Sequence, residues 1–137
     1  MLKLCDFGSA FRERAPDNDI TPYIQSRFYR APEITLGLEY DRQIDVWSTG
    51  TCLWELFTGK VMFQGIDSNG MIQCWQEMCG RFPVKMLRRH IISYQQVIDK
   101  MPHYDDDLKF RQQTTDKARS TCSPLAHSSL RVTMRRL

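Results

Sequence analysis

With 137 residues, of which 42% are hydrophobic and 26% charged, the chain has the composition of one soluble globular domain rather than a disordered protein. The net charge of +3 is mild and the two arginine clusters carry no interleaved aromatic residues, so direct nucleic-acid binding is not expected. The five cysteines include no Cys-x-x-Cys pair, which argues against a zinc site or a disulfide framework and favours a reducing, intracellular compartment. The sequence shows no apolar run of membrane-spanning length.

The first elements predicted along the chain are a short strand, a long loop and a short helix. Apolar residues at alternate or adjacent positions give residues 1–5 the pattern of a buried strand. Residues 6–30 are rich in Asp, Arg, Pro, Ser and Thr, and a loop of this length in a compact domain is usually functional. The stretch APEITLG then predicts a helix with Pro32 in its first turn and Gly37 at its end.

A longer helix is predicted over about residues 42–58. Asp41 is a plausible N-cap, and Gly59 is a plausible C-terminal stop. Apolar or small residues occupy every face of the segment between these ends, which is typical of a helix that is buried all round. We therefore expect this helix to be the central element around which the rest of the domain packs.

The following helix is predicted over about residues 69–79, with Ser68 or Asn69 as its cap. Its apolar residues fall on one stripe, which favours packing onto the domain over a groove for a partner: Met71, Ile72, Trp75, Met78 and Cys79.

Beyond this helix the periodicity weakens. Residues 80–110 predict short helical pieces and an acidic turn, and residues 113–137 predict a divergent, disordered tail. The three histidines lack the spacing of a helical metal pair, and we expect them on the surface: His90, His103 and His127.

Four sequence blocks follow one another at an ordered spacing: DFG at residues 6–8, TPYIQSRFYRAPE, DVWSTG and LFTGKVMFQG. Together they resemble the C-terminal lobe of a eukaryotic protein kinase, in which Asp-Phe-Gly and Ala-Pro-Glu bracket the activation segment. That segment corresponds to residues 6–33 here, within a partial kinase domain at 1–112. The resemblance implies a mostly α fold, the partial helical C-terminal lobe of the α+β protein-kinase fold.

Particular residues within these blocks resemble those of the CMGC group of kinases. SRFYRAPE with a tyrosine just upstream is similar to that group, and DFGSA suits its splicing-associated branch, the pre-mRNA-processing kinases. This resemblance implies transfer of the ATP γ-phosphate to Ser or Thr of protein substrates, with spliceosomal proteins as partners and a nuclear, or else cytoplasmic, location. A relative of the MAP kinases or the glycogen-synthase kinases is the alternative within the group.

The resemblance assigns the first triplet to nucleotide and metal binding. Asp6 would bind Mg²⁺ on the ATP phosphates, because a hard, hydrated cation prefers carboxylate oxygen. Phe7 would pack under the helix that positions the catalytic lysine, and Gly8 would permit the backbone to flip.

Tyr23 is the candidate regulatory phosphorylation site, with Thr21 as a second one. A phosphate adds about −1.5 to −2 charges and needs cationic partners to order a loop. Arg27 and Arg30 match the arginines that the family uses for this purpose, and guanidinium groups suit phosphate geometry. The alternative is that Tyr23 is simply a packed loop aromatic.

Two further acids have structural roles in the resembled family. Glu33 would pair with an arginine near the end of the lobe, and Asp45 would accept hydrogen bonds from the backbone of the catalytic loop. Such partners are needed because a buried carboxylate without one is costly.

Several kinase motifs do not occur in these 137 residues: the Gly-rich phosphate loop, the strand that carries the phosphate-binding lysine, and the His-Arg-Asp loop with its catalytic base. No catalytic-loop residue is therefore assigned, and ATP and Mg²⁺ are cofactors of the family that this chain is expected to bind poorly or not at all. We expect a fragment that is inactive by itself. A non-catalytic interaction module is the competing function.

Overall fold

The computed structural model describes residues 1, 3–12 and 21–111, together with the backbone of residues 121–122. Helices dominate this part of the chain, which confirms the predicted fold class, and none of them is long and apolar enough to cross a membrane. The elements are α1 (Pro32–Thr35), α2 (Gln43–Thr58), β1 (Phe63–Gln64), α3 (Ser68–Cys79), α4 (Val84–Gln96) and β2 (Thr121–Cys122), with 3-10 turns at Phe7–Ser9 and Arg27–Tyr29.

The main core is built around α3. Trp75 is 1% exposed, and its ring makes edge contacts with Trp47, Phe63 and Phe82 at centroid distances of 6.3, 6.3 and 6.5 Å. Met71 and three further side chains close the cluster around it: Leu36, Ile72 and Leu87. The predicted stripe of α3 therefore packs onto the domain, as expected.

The N-terminus of α3 is capped one residue earlier than the sequence predicted. The Asp67 carboxylate accepts a hydrogen bond from the Gly70 amide at 2.7 Å, which satisfies one of the free N–H groups of the first turn. Asn69, one of the two predicted caps, instead contacts the ring of His103 with its side-chain oxygen. Tertiary contact therefore decides which of several polar residues acts as the cap.

The prediction that α2 is buried on every face is wrong. The helix has nearly the predicted bounds, yet Ile44 and Thr51 are its only buried residues. Within the described residues, α2 is covered from one side, by the turn at 27–29 and by the stacking of Trp47 on Phe63. A stripe of apolar side chains on its other side is 59–91% exposed: Val46, Leu53, Leu56 and Phe57.

Helix α4 is one continuous element where the sequence predicted short pieces. Its buried residues recur at the spacing of one helical face: Leu87, His90, Ile91 and Tyr94. The pattern was missed because His90 and Tyr94 count as polar in a hydrophobicity pattern, although both side chains are buried here.

The predicted strand at residues 1–5 is also wrong. The described residues there have no regular structure and are exposed, since no described strand lies beside them to complete a hydrogen-bonded ladder. The one described strand pair joins β1 to β2, antiparallel, with Phe63 opposite Cys122 and Gln64 opposite Thr121. This short pairing differs from the disorder predicted for 113–137, whose other residues lie outside the described part of the chain.

Candidate functional site

The aspartate of the first triplet lies in an unusual backbone conformation. Asp6 has φ 62° and ψ 67°, in the left-handed region, which Asp tolerates better than most residues. The 3-10 turn Phe7–Ser9 follows directly, and the Asp6 Oδ1 atom lies 3.6 Å from the position that a Cβ on Gly8 would occupy. Asp6 is exposed, and Phe7 is 67% exposed, so neither side chain is covered by the described residues.

This arrangement fits one ligand position of a nucleotide-bound magnesium ion. Within residues 1, 3–12 and 21–111, no three His, Cys, Asp or Glu side chains come together to hold a metal. However, Mg²⁺ bound to phosphates typically takes only one or two protein carboxylates and keeps several waters. A single accessible carboxylate at Asp6 therefore suits that chemistry as one ligand, without forming a complete site.

Tyr23 lies at the surface, 60% exposed, and its main side-chain partner is one that the sequence did not reveal. The Lys100 ammonium donates a hydrogen bond to the Tyr23 hydroxyl and lies 4.7 Å from the centroid of its ring. Thr21, the second candidate phosphorylation site, accepts a hydrogen bond from the Tyr23 amide at 3.4 Å through Oγ1. Because 77 residues separate Tyr23 from Lys100, no local pattern could have indicated the pair.

In the unmodified chain, the two arginines predicted to pair with a phosphate donate hydrogen bonds to backbone carbonyls. Arg30 donates to the carbonyls of Ile24 at 2.8 Å, Gln25 at 2.9 Å and Tyr23 at 3.4 Å. Burial lowers the pKa of Arg30, and the positive charge of Arg27 lowers it further. Arg27 donates to the carbonyl of Ile66, in the loop between β1 and α3. Arg30 thus holds the chain at residues 23–25, whereas Arg27 joins the 6–33 segment to the loop between β1 and α3.

The end of the 6–33 segment is fastened to α2 by side-chain hydrogen bonds. Gln25, at φ 64°, donates to the Ile44 carbonyl and accepts from the Ala31 amide, both at 3.2 Å. The Tyr29 hydroxyl donates to Glu55 Oε2 at 2.6 Å, and this bond to a carboxylate raises the pKa of Tyr29. The predicted activation segment therefore has an anchored C-terminal half.

Glu33 and Asp45, the two predicted structural acids, have no cationic partner within the described residues. Burial raises the pKa of Glu33, its own backbone amide opposes that shift, and the negative charge of Asp41 adds to it. Asp45 is exposed in the first turn of α2. Glu33 borders a cavity of about 850 Å³ between residues 37–43 and α4, while residues 6–8 lie away from that cavity.

The prediction that the histidines lie on the surface is wrong for His90 and His103, while His127 lies outside the described residues. His90 is fully buried and stacks on His103 with a centroid distance of 5.5 Å. His90 Nε2 accepts a hydrogen bond from the His103 amide at 2.9 Å, so Nδ1 carries the proton and donates to the Leu36 carbonyl at 2.9 Å. His90 is therefore neutral, and it ties α4 to the end of α1.

This histidine pair predicts loss of stability in acid. Burial lowers the pKa of His90. Burial also lowers the pKa of His103 to about 4, and the positive charge that His90 would gain on protonation lowers it further. Both folded-state values lie below the unfolded value of about 6.5, so the stabilisation is complete above that pH and is lost as the pH falls towards 4. We expect His103 alone to account for about 2–3 kcal/mol between pH 7 and pH 4.

Urea unfolding of the wild type and of His103→Gln between pH 7 and pH 4 tests this expectation. Carboxylates titrate alike in both proteins, so the informative quantity is the difference between their free energies of unfolding. That difference should shrink as the pH falls. Parallel pH profiles for the two proteins would contradict a coupling between His103 and folding.

Comparison with known proteins places these features in a family. The protein kinase domain model matches residues 1–135. The chain is 43% identical over 127 residues to serine/threonine-protein kinase prpf4B of Dictyostelium discoideum, which covers 92% of this chain and 14% of that protein. It is 46% identical over 112 residues to serine/threonine-protein kinase prp4 of Schizosaccharomyces pombe, which covers 82% of this chain and 22% of that protein.

A third relative is also named as a kinase. The chain is 46% identical over 87 residues to human dual specificity tyrosine-phosphorylation-regulated kinase 3, which covers 64% of this chain and 14% of that protein. The chain thus spans about a seventh to about a fifth of the length of these relatives. The family model covers nearly all of the chain, including both triplets that bracket residues 6–33. The resemblance to CMGC kinases is thereby confirmed, and the chain belongs to the protein kinase family.

Proposed function

We propose that the chain forms part of the catalytic domain of a protein serine/threonine kinase of the splicing-associated branch. Such a domain transfers the γ-phosphate of ATP to Ser or Thr hydroxyls of proteins. The observation that carries the proposal is the segment 6–33, which begins at an accessible carboxylate and ends anchored to α2 within a chain that matches the kinase family. By its resemblance to pre-mRNA-processing kinases, its substrates and partners are spliceosomal proteins in the nucleus.

The residues of this chain have separate roles under this proposal. Asp6 would be one ligand of Mg²⁺, and the ion, when bound, would neutralise charge on the ATP phosphates. Phosphoryl transfer depends mainly on positioning and electrostatic stabilisation. Residues 24–31 contribute positioning, because hydrogen bonds from Gln25, Arg30 and Tyr29 hold the backbone beside α2 in one conformation.

A chimera tests the proposal. Residues 1–111 replace the matching stretch of the Schizosaccharomyces pombe prp4 kinase, and transfer from labelled ATP to a basic, Ser-rich protein is measured. We expect the chimera to phosphorylate the substrate, because the exchanged stretch belongs to the same family and is 46% identical to that of the parent. The isolated 137-residue chain, which contains no His-Arg-Asp loop, should show no turnover.

Two results would contradict these expectations. Turnover by the isolated chain that Asp6→Ala abolishes would overturn the predicted inactivity. A chimera that folds like its parent, by circular dichroism and thermal unfolding, yet transfers no phosphate would overturn the kinase role.

The exposed stripe of α2 favours a second candidate function, a non-catalytic binding module. Apolar residues at 46, 53 and 57 lie on one helical face, uncovered by the described residues. The stripe of α3 offers no such surface, because Met71 and Trp75 are buried in the core. An inactive chimera together with a folded isolated chain would favour binding over catalysis.

A further inference from the structure

We propose that the exposed stripe of α2 is a self-association surface, on which two copies of this chain pair antiparallel about a two-fold axis. The stripe consists of Val46, Leu53, Leu56 and Phe57, whose side chains are 59–91% exposed. The inference rests on the second candidate function, a binding module, and deepens it because it names the partner. It applies to the 137-residue chain by itself.

The stripe lies on the side of α2 that faces away from the core. Ile44 and Thr51 are the buried residues of the helix. Successive residues of a helix are about 100° apart, so positions 46, 53 and 57 fall within about 40° of one another and nearly opposite that buried pair. Their spacing of seven and four residues is that of the apolar positions along which two helices pack. A contiguous apolar area of this kind marks an interaction surface.

Gly50 gives the stripe a shape that suits a second copy. A Cβ atom at Gly50 would meet no described atom within 4 Å, so the helix surface between Val46 and Leu53 is a hollow. An antiparallel pair centred between residues 51 and 52 places Leu53 of one copy opposite Gly50 of the other, and Phe57 opposite Val46. Large side chains thus meet small ones, as knobs-into-holes packing requires. A parallel pair would leave the two hollows facing each other.

Charges at the two ends of the stripe favour the same arrangement. Asp45 lies in the first turn of α2 and Lys60 follows its C-cap, and both are exposed. Neither side chain makes an ion pair with another described residue. Antiparallel pairing brings the first turn of each copy beside the last turn of the other, which puts Asp45 within reach of Lys60 at both ends and aligns helix ends of opposite partial charge. This charge complementarity argues for a second copy as the occupant.

The size of the stripe predicts a weak dimer. One pair of helices buries less than the roughly 1,200–2,000 Å² of a stable protein interface. We therefore expect a dissociation constant of about 10–100 μM. At the low micromolar concentrations used to follow unfolding by circular dichroism, the chain is then monomeric and Phe57 stays exposed.

Sedimentation velocity of the full chain from about 5 to 500 μM spans the expected dissociation constant. The average mass should rise from that of a monomer to that of a dimer. Leu53→Glu should raise the dissociation constant at least about tenfold, because it would bury a carboxylate at the centre of the interface. Ile92→Glu is the matched control: Ile92 is 53% exposed on α4, against 59% for Leu53 on α2, and its replacement should leave the dissociation constant unchanged.

Charge reversal tests the antiparallel arrangement and leaves the apolar stripe intact. Asp45→Lys alone, or Lys60→Asp alone, should raise the dissociation constant about three- to tenfold at low ionic strength, because like charges then meet at both ends. The double variant should return it to within about twofold of the wild-type value, since both ion pairs form again with their signs exchanged.

Several results would overturn the proposal: a monomer throughout the concentration range, a larger oligomer, or a dimer that Leu53→Glu leaves intact. Single charge reversals without effect, or a double variant without recovery, would overturn the antiparallel pairing. None of these measurements uses phosphate transfer. A monomeric isolated chain would leave the kinase role standing, and an inactive chimera would leave the dimer standing.

Discussion

Replacing Trp75 by alanine is expected to remove about 3–5 kcal/mol from the free energy of unfolding of the isolated chain, a large share of its total. The ring is 1% exposed and contacts three other aromatic rings in the main core. Truncation of a buried Trp typically costs about 3–5 kcal/mol, because burial is lost and a cavity remains. The whole free energy of unfolding of a small domain is only about 5–15 kcal/mol. Urea unfolding at pH 7, followed by far-UV circular dichroism, measures the loss.

Phe57→Ala is the matched control for this substitution. It removes another large aromatic ring, but one that is 91% exposed on α2, so the free energy of unfolding should change by less than about 0.5 kcal/mol. Equal losses in the two variants would show that α3 is not the centre of the core. A larger loss for Phe57→Ala would show that the exposed stripe of α2 is buried in solution.

The elements that could be predicted from the sequence are those whose signals are local. The apolar stripe of α3 and the glycines at the ends of α2 and α3 mark the helices to within a residue or two. Burial could not be predicted in the same way. The all-round apolar pattern of α2 indicates what the helix could bury, whereas actual burial depends on which elements pack against it.

The same distinction between local signals and long-range contacts applies to the candidate site. Asp6 and Tyr23 are candidate site residues because they stand in ordered motifs that the family model covers, and their roles stay predictions. The contact of Lys100 with Tyr23 joins residues far apart in sequence, and so does the bond from His90 to Leu36. Both contacts depend on the position of α4 in the folded domain, which short-range periodicity does not specify.

Under the proposed kinase role, the Asp6 carboxylate is the group of this chain whose loss should lower the rate most. Asn has nearly the same shape as Asp but no charge, so Asp6→Asn removes the attraction for a divalent cation without adding bulk. Loss of one electrostatic contact to a developing charge typically lowers kcat by about 10²–10³-fold. Asp107→Asn is the control, because Asp107 is 79% exposed and its partner is the surface residue Lys109.

The most direct test of the account is the initial rate of phosphate transfer to Ser or Thr by the chimera that carries residues 1–111, at saturating ATP and Mg²⁺. We predict that Asp6→Asn lowers this rate at least about 100-fold and that Asp107→Asn leaves it unchanged. Equal rates for the two variants in a folded, active chimera would contradict the assignment of Asp6, and with it the role proposed for the 6–33 segment.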